Sequence, residues 1–352
     1  MRITKFKPQA IFIMLGSACN FQCRYCMQRY QELPNLARKP EDKIFTFIDA
    51  LSGSMEDKLT LHFYGGEPFL YLPQIREIIQ RTQGMNVQYS AITNGALVTG
   101  DVVKLINSNK ISTAISWDGR NTSKTRMRDV FVENRENLMS IEGLRLNAVM
   151  SAEAYPKELF DDIESLDEEY FGRHGIHINA NVDRIFDTGI ADKALIEDID
   201  YERVSREMRE MSEAYIAGTL EGFQHDSIVG KIFESARDFY CEYADGRLPQ
   251  GTPCSCGNGT RILNMDLDGN LYGCHNSYDI VGAVDGEEGD YISTVMAHDK
   301  VKSSGDPACD ACKALYFCRR GCKLAQAPEV KASYCKVYKA YFGGMIDALL
   351  KK

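Results

Sequence analysis

Cys19-Asn20-Phe21-Gln22-Cys23-Arg24-Tyr25-Cys26 sets three thiols within eight residues, directly after the apolar run Ala10-Ile11-Phe12-Ile13-Met14-Leu15. A run of that length, rich in branched residues and ended by Gly16-Ser17, predicts a buried strand. The cysteines then fall on the loop leaving the strand's C-terminal end, where α/β folds place their chemistry. Soft thiolates spaced by three and then two residues can wrap one face of a compact metal centre. Three ligands rather than four leave one metal position for a group that is not protein. Zinc and unpaired buried thiols are the plainer alternatives, but a structural zinc wants four protein ligands, usually as two separated pairs.

Composition narrows the function classes. The chain has 352 residues, 44% of them apolar and 26% charged, which is ordinary for a globular protein longer than one average domain. A formal charge of −9 argues against a dedicated nucleic-acid binder. No run approaches the ~20 apolar residues that span a bilayer. The segment Met1 to Lys7 enters the first strand without a signal-peptide cleavage region, so a cytoplasmic location is expected. Twelve cysteines in a chain without an export signal point to metal rather than disulfides. Three fall at 19–26, one at 241 and eight between 254 and 335, which suggests a front domain at 1–190, a bridge at 191–250 and a cysteine-dense tail at 251–352.

Further strands are expected at Leu59–Tyr64, Val87–Ile92, Ile111–Ser116, Leu144–Met150 and Ile176–Val182, with helices between them such as Glu41–Leu51 and Pro73–Arg81. Strand–helix repetition implies a parallel α/β sheet with right-handed crossovers, and six such units can curl into a partial (β/α)6 barrel. The bridge reads as a helical pair, Ile199–Leu220 and Phe223–Tyr243, with apolar Val204, Met208, Met211 and Tyr215 at helical spacing. Several strand ends carry unusual chemistry. Gly65-Gly66-Glu67-Pro68 lets backbone approach a ligand closely, and Thr93-Asn94-Gly95 and Ser116-Trp117-Asp118-Gly119 end the third and fourth strands.

The C-x3-C-x2-C spacing of Cys19, Cys23 and Cys26 resembles the signature of the radical S-adenosylmethionine (SAM) superfamily. The resemblance implies a [4Fe–4S] cluster on these cysteines, with SAM bound to its fourth iron and Tyr25 near the adenine. It implies that Gly65, Gly66, Glu67 and Pro68 hold the SAM amino group, that Ser116 and Asp118 belong to an S-x-D-G element at the ribose or carboxylate, and that Asn94 is a weaker contact. Arg126 and Arg128 both qualify to pair the SAM carboxylate. The tail, Cys309-x2-Cys312-x5-Cys318-x3-Cys322 with Cys335 downstream and Cys254, Cys256 and Cys274 upstream, resembles the SPASM extension with two auxiliary [4Fe–4S] clusters. By that resemblance Cys309, Cys312, Cys318 and Cys335 hold the outer cluster. Cys274 and Cys322, with Cys254 and Cys256, hold the inner one. The two-residue gap between Cys254 and Cys256 is tighter than the family's usual spacing.

The implied activity is reductive cleavage of SAM to a 5′-deoxyadenosyl radical that abstracts hydrogen from a peptide or protein residue, leading to cross-linking, dehydrogenation or epimerisation. The alternative is a dehydrogenase or epimerase of a small molecule such as an aminosugar. An electron donor such as flavodoxin or ferredoxin is implied. With about ten residues before the first strand, a fused leader-recognition domain is not expected, so a separate recognition protein is one route to the substrate. In sulfatase-maturating members an aspartate follows the cysteine of the G-x4-C element; here His275 stands there and can also take a proton. Cys241, a lone cysteine in a predicted helix, is either a small core hydrophobe or a hydrogen-atom donor.

Overall fold

The computed structural model describes residues 8–28, 39–185, 187, 189, 191–218, 233–234, 261–276, 279–285, 307–310, 312–318, 321–322 and 328–349. Among the described residues nine strands form one sheet: β1 (Ala10–Met14), β2 (Leu59–Tyr64), β3 (Val87–Thr93), β4 (Ser112–Ser116), β5 (Arg145–Met150), β6 (Asn179–Arg184), β7 (Ile262–Asp266), β8 (Asn270–Tyr272) and β9 (Ile280–Ala283). Their order is β6-β5-β4-β3-β2-β1-β7-β8-β9. Neighbours from β6 to β7 run parallel, and β8 and β9 follow as antiparallel strands. The sheet is open, with β6 and β9 at its edges. This is the α/β architecture of a partial barrel, with its parallel strand ends on one side.

The strands form where the sequence places an apolar residue at every second position, so that one face packs on the helices. Ile11, Ile13, Leu59, Leu61 and Phe63 are fully buried. They share one core with Ile44, Ile48 and Leu51 of α1 (Asp42–Ser52) and Ile75 and Ile78 of α2 (Leu72–Arg81). Removing such side chains from water stabilises the fold by roughly 1.5–3 kcal/mol each.

Strands one to five fall within a residue or two of their expected bounds. The sixth begins at Asn179 rather than Ile176. After α3 (Gly100–Ser108), the long helix α4 (Pro156–His174) ends on Gly175, whose φ of 68° suits a left-handed cap. The Asp167 carboxylate then accepts from Ile178 N at 2.6 Å and pairs with His177 Nδ1 at 2.7 Å, holding residues 177–178 to the helix instead of the ladder. The strand runs on to Asp183 and Arg184, paired with β5 from Arg145↔Asn179 to Met150↔Arg184. The tail also joins the front sheet, because Ile11 pairs with Leu263 and Ile13 with Met265.

Helix α5 (Tyr201–Ala217) buries Val204, Met208 and Met211. It packs on the C-terminal helix α6 (Pro328–Leu349) so closely that a Cβ on Gly344 would stand 2.2 Å from Ser205 O. Of the expected helix at 223–243, residues 233–234 are described; Phe233 is buried against Phe160 and Tyr215. Cys241, Cys254 and Cys256 lie outside the described residues. Among the described residues no helix is long and apolar enough to cross a membrane.

Candidate active site

A cavity of about 730 Å³ opens at the C-terminal ends of the parallel strands. Cys19, Cys23 and Cys26 line it, and so do Cys274 and Cys322 from the tail. Of the other residues singled out from sequence, Tyr25, Gly65, Gly66, Asn94, Ser116, Arg126 and His275 reach its wall.

The cysteine loop is held by the strand ends around it. Gly66 N donates to Gly16 O at 2.9 Å and Glu67 N to Ala18 O at 2.9 Å. Gly65, at φ 151°, approaches so closely that an added Cβ would lie 2.3 Å from Gly16 O; at Gly66 it would lie 2.4 Å from Ala18 O. Glycine is needed at both positions because these two loops touch backbone to backbone. Asn94 Nδ2 donates to Asn20 Oδ1 at 2.7 Å, and Arg24 N donates to Thr125 O at 2.9 Å. Arg24 also pairs with Asp192 at 2.9 Å.

Glu67 and Asp118 do not line the cavity and stand behind its wall. Glu67 is fully buried, and its carboxylate accepts from Phe69 N, Thr93 Oγ1 and Asn94 N at 3.0, 2.7 and 2.8 Å. Burial raises its pKa against those three hydrogen bonds. It ties the end of β2 to the end of β3. Asp118 is 1% exposed and accepts from Tyr25 OH, from Thr125 Oγ1 at 2.6 Å, from Arg126 Nε at 3.0 Å and from Val149 N at 2.8 Å. The Arg126 guanidinium lies 5.0 Å from the Tyr25 ring centroid. One carboxylate thus fixes both the aromatic residue of the cysteine motif and the cavity's arginine. Arg128 does not line the cavity; it is half-exposed and pairs with Glu133. Pro68 opens a short helical turn beside Glu67 and is likewise away from the cavity.

Desolvation by the surrounding loop pushes the Cys19 thiol up to about 11, although its surface is open to the cavity. Burial also raises Cys23, with Arg126 acting against it. Thiolates at these positions therefore call for positive charge close by, and a thiolate-bound iron centre meets that need. Three cysteines on one loop with a cationic side chain behind them suit such a centre in donor type, so the residues fit the group that the motif implies.

On the tail side, His275 stacks on Phe12 at 4.7 Å and meets Tyr64 edge-on at 4.9 Å. Burial lowers its pKa to about 4, and its Nδ1 has no hydrogen-bond partner among the described residues. Tyr64 OH donates to Asn276 Oδ1 at 3.0 Å. Sequence reasoning missed Tyr64, Asn276, Asp183, Arg184 and Tyr338, all of which line the cavity. Each is a single polar or aromatic residue in unremarkable surroundings, and the tertiary fold brings them together. Cys309, Cys312, Cys318 and Cys335 are partly exposed. Cys309 and Cys312 are near enough to Cys335 to add to the upward push that burial gives its thiol.

Residues 13–139 match the model of the Radical SAM superfamily. The chain carries a radical SAM domain. It is 28% identical over 149 residues to an S-adenosylmethionine-dependent nucleotide dehydratase of Psychrobacter lutiphocae, covering 40% of this chain and 46% of the relative. It is 30% identical over 114 residues to a cysteine-type anaerobic sulfatase-maturating enzyme of Clostridium novyi, covering 30% of each. These alignments span less than half of either relative. The chain shares the fold of native anSMEcpe solved with AdoMet and the Cp18Cys peptide, at a TM-score of 0.68 and 18% identity, covering 98% of both chains. The superfamily match makes this chain an enzyme whose fold implies SAM and a [4Fe–4S] cluster.

Proposed function

We propose that this enzyme uses SAM to abstract a hydrogen atom from a peptide or protein residue, with auxiliary iron–sulfur clusters in its tail. The observation that carries the reading is the shared cavity, whose wall holds the Cys19, Cys23 and Cys26 loop together with Cys274, His275 and Cys322. When bound, the reduced cluster and SAM supply a 5′-deoxyadenosyl radical able to take hydrogen from an unactivated C–H bond.

The chain's own residues define where that happens. Gly65, Gly66 and Ser116 give a close backbone and hydroxyl surface for SAM, and Arg126, fixed by Asp118, supplies a cation beside it. Tyr25 is held by Asp118 against the cysteine loop. Cys274 and Cys322, with Cys254 and Cys256, would hold an inner cluster, which would supply a place for the electron left on the substrate. His275, in the wall next to it, is the proposed acceptor of the substrate's proton. Cys309, Cys312, Cys318 and Cys335 are assigned to an outer cluster, and Cys241 to hydrogen-atom donation if the product is an epimer. A flavodoxin or ferredoxin serves as electron donor, and a separate leader-recognition protein as substrate carrier. A cytoplasmic location accords with this oxygen-sensitive equipment.

The peptide reading draws support from the sulfatase-maturating relative and from the whole-chain likeness to a peptide-bound fold. The nucleotide dehydratase relative favours a second reading, a small-molecule substrate. Deuterium transfer separates them. Reduced enzyme with SAM is offered either perdeuterated short peptides or perdeuterated nucleoside triphosphates, and 5′-deoxyadenosine is weighed. Deuterium arriving from peptides is expected; deuterium arriving only from nucleotides overturns the peptide reading.

A further inference from the structure

The β6 side of the cavity carries a second arginine besides Arg126. Arg184, the last residue of β6, lines the cavity with Tyr338 of α6. Its guanidinium carbon stands 4.6, 5.3 and 5.0 Å from the ring centroids of Tyr338, Tyr341 and Phe342, so three aromatic faces hold it in place. Nη1 donates to Val182 O and Nη2 to Tyr338 OH, both at 2.9 Å. A guanidinium has five N–H donors and no acceptor. Among the described residues Nε has no partner, and no carboxylate forms a salt bridge with Arg184. Arg126, the other arginine on the wall, is in contrast neutralised by Asp118 at 3.0 Å. Arg184 is half-buried, and the exposed Asp183 acts on it without forming a salt bridge, so its buried Nε is left for a ligand to satisfy.

We propose that Arg184 is the substrate-anchoring residue of this cavity and takes a carboxylate of the peptide, either an acidic side chain or the C-terminus. The inference rests on the peptide reading and deepens it by naming the group recognised. Arg184 carries one positive charge, and the exposed Asp183 beside it also lines the wall. That pairing suits a monoanion and repels a dianionic phosphate. The planar fork of the guanidinium matches a carboxylate at two points. Its place at the end of the edge strand β6, on the same cavity wall as Cys19, Cys23 and Cys26, lets a peptide be held at one end while another residue meets the cysteine loop.

The test is calorimetric titration of the anaerobically reconstituted protein, saturated with SAM, with acetyl-Gly-Glu-Gly-amide, its Gln twin and inorganic phosphate. The glutamyl peptide is expected to bind about tenfold tighter than its twin, as a charge-assisted contact predicts. Arg184→Gln is expected to abolish the difference. Arg184→Lys, which keeps the charge without the fork, is expected to retain part of it and serves if the Gln variant does not fold. Equal binding of the twins, or a difference that survives both substitutions, overturns the Arg184 assignment while leaving the peptide reading intact. Phosphate bound in preference to both peptides, and lost on substitution, overturns both. Failure of the wild type to bind any of the three probes overturns the assignment, as does a glutamyl preference that appears only when SAM is omitted, which would give Arg184 to SAM's own carboxylate.

Discussion

The two cysteine-bearing regions of this enzyme are built on different physical terms. The front loop is braced by protein alone. Backbone bonds from Gly66 and Glu67, the Asn94 amide and the Arg24–Asp192 pair fix it against three strand ends. Around the tail cysteines the described bonds are mainly short-range turns, such as Cys312 N to Cys309 O at 3.0 Å and Gly321 N to Cys318 O at 2.7 Å, with Cys335 on a separate helix. A site organised by the fold pre-exists its metal, whereas one joined across separate segments draws part of its stability from the metal. Folding and cluster binding should therefore be separable at the front and coupled in the tail.

The largest effect is expected at the front. Cys26→Ala should reduce 5′-deoxyadenosine formation to background while changing unfolding free energy by less than about 1 kcal/mol, checked by product assay and denaturant titration. In the tail, Cys335→Ala should lower iron content by roughly four atoms per chain and stability by several kcal/mol together, checked by iron analysis and melting. If each substitution gave the other's signature, the contrast would be broken.

Two intermediate effects sharpen the front half of the comparison. Asp118→Ala leaves Arg126 as an unpaired buried charge and should cost about 3–5 kcal/mol, with weakened SAM binding. Glu67→Ala leaves three buried donors without their acceptor and should cost about 2–3 kcal/mol. Both are read by denaturant titration, and SAM affinity by equilibrium dialysis.

The smallest is a pH effect in the sheet beneath the cavity. His62 is buried against Phe12 with Nδ1 2.6 Å from Ser90 Oγ, and burial lowers its pKa to about 3 from an unfolded value of 6.5. The unfolded chain therefore takes the proton first as pH falls. The stabilisation is fully present above pH 6.5 and declines below it, by about 2 kcal/mol at pH 5. His62→Gln should flatten that slope in pH-dependent unfolding.

What the sequence made legible follows from how signals are written into it. Three cysteines in eight residues, paired glycines and apolar strands are dense local patterns, and they led directly to the cavity's front wall and to the first six strands. Glu67 and Asp118 were found as motif members, but their role as buried braces depends on donors from other strands, such as Asn94 N and Val149 N. β7 was missed because Asn264 and Asp266 interrupt its apolar run; both are buried, the latter accepting from Asn270 N and Tyr272 OH in its own hairpin. Arg184 had no local signal at all. Its meaning arises from a shifted strand end and from aromatic residues more than 150 positions away.

The most direct test of the account is reduction of the anaerobically reconstituted protein with SAM, assaying 5′-deoxyadenosine alongside iron and sulfide. The wild type, carrying roughly twelve irons per chain, is expected to form 5′-deoxyadenosine, and the Cys26→Ala protein none. A fully loaded wild type that forms no 5′-deoxyadenosine with any reductant would contradict it.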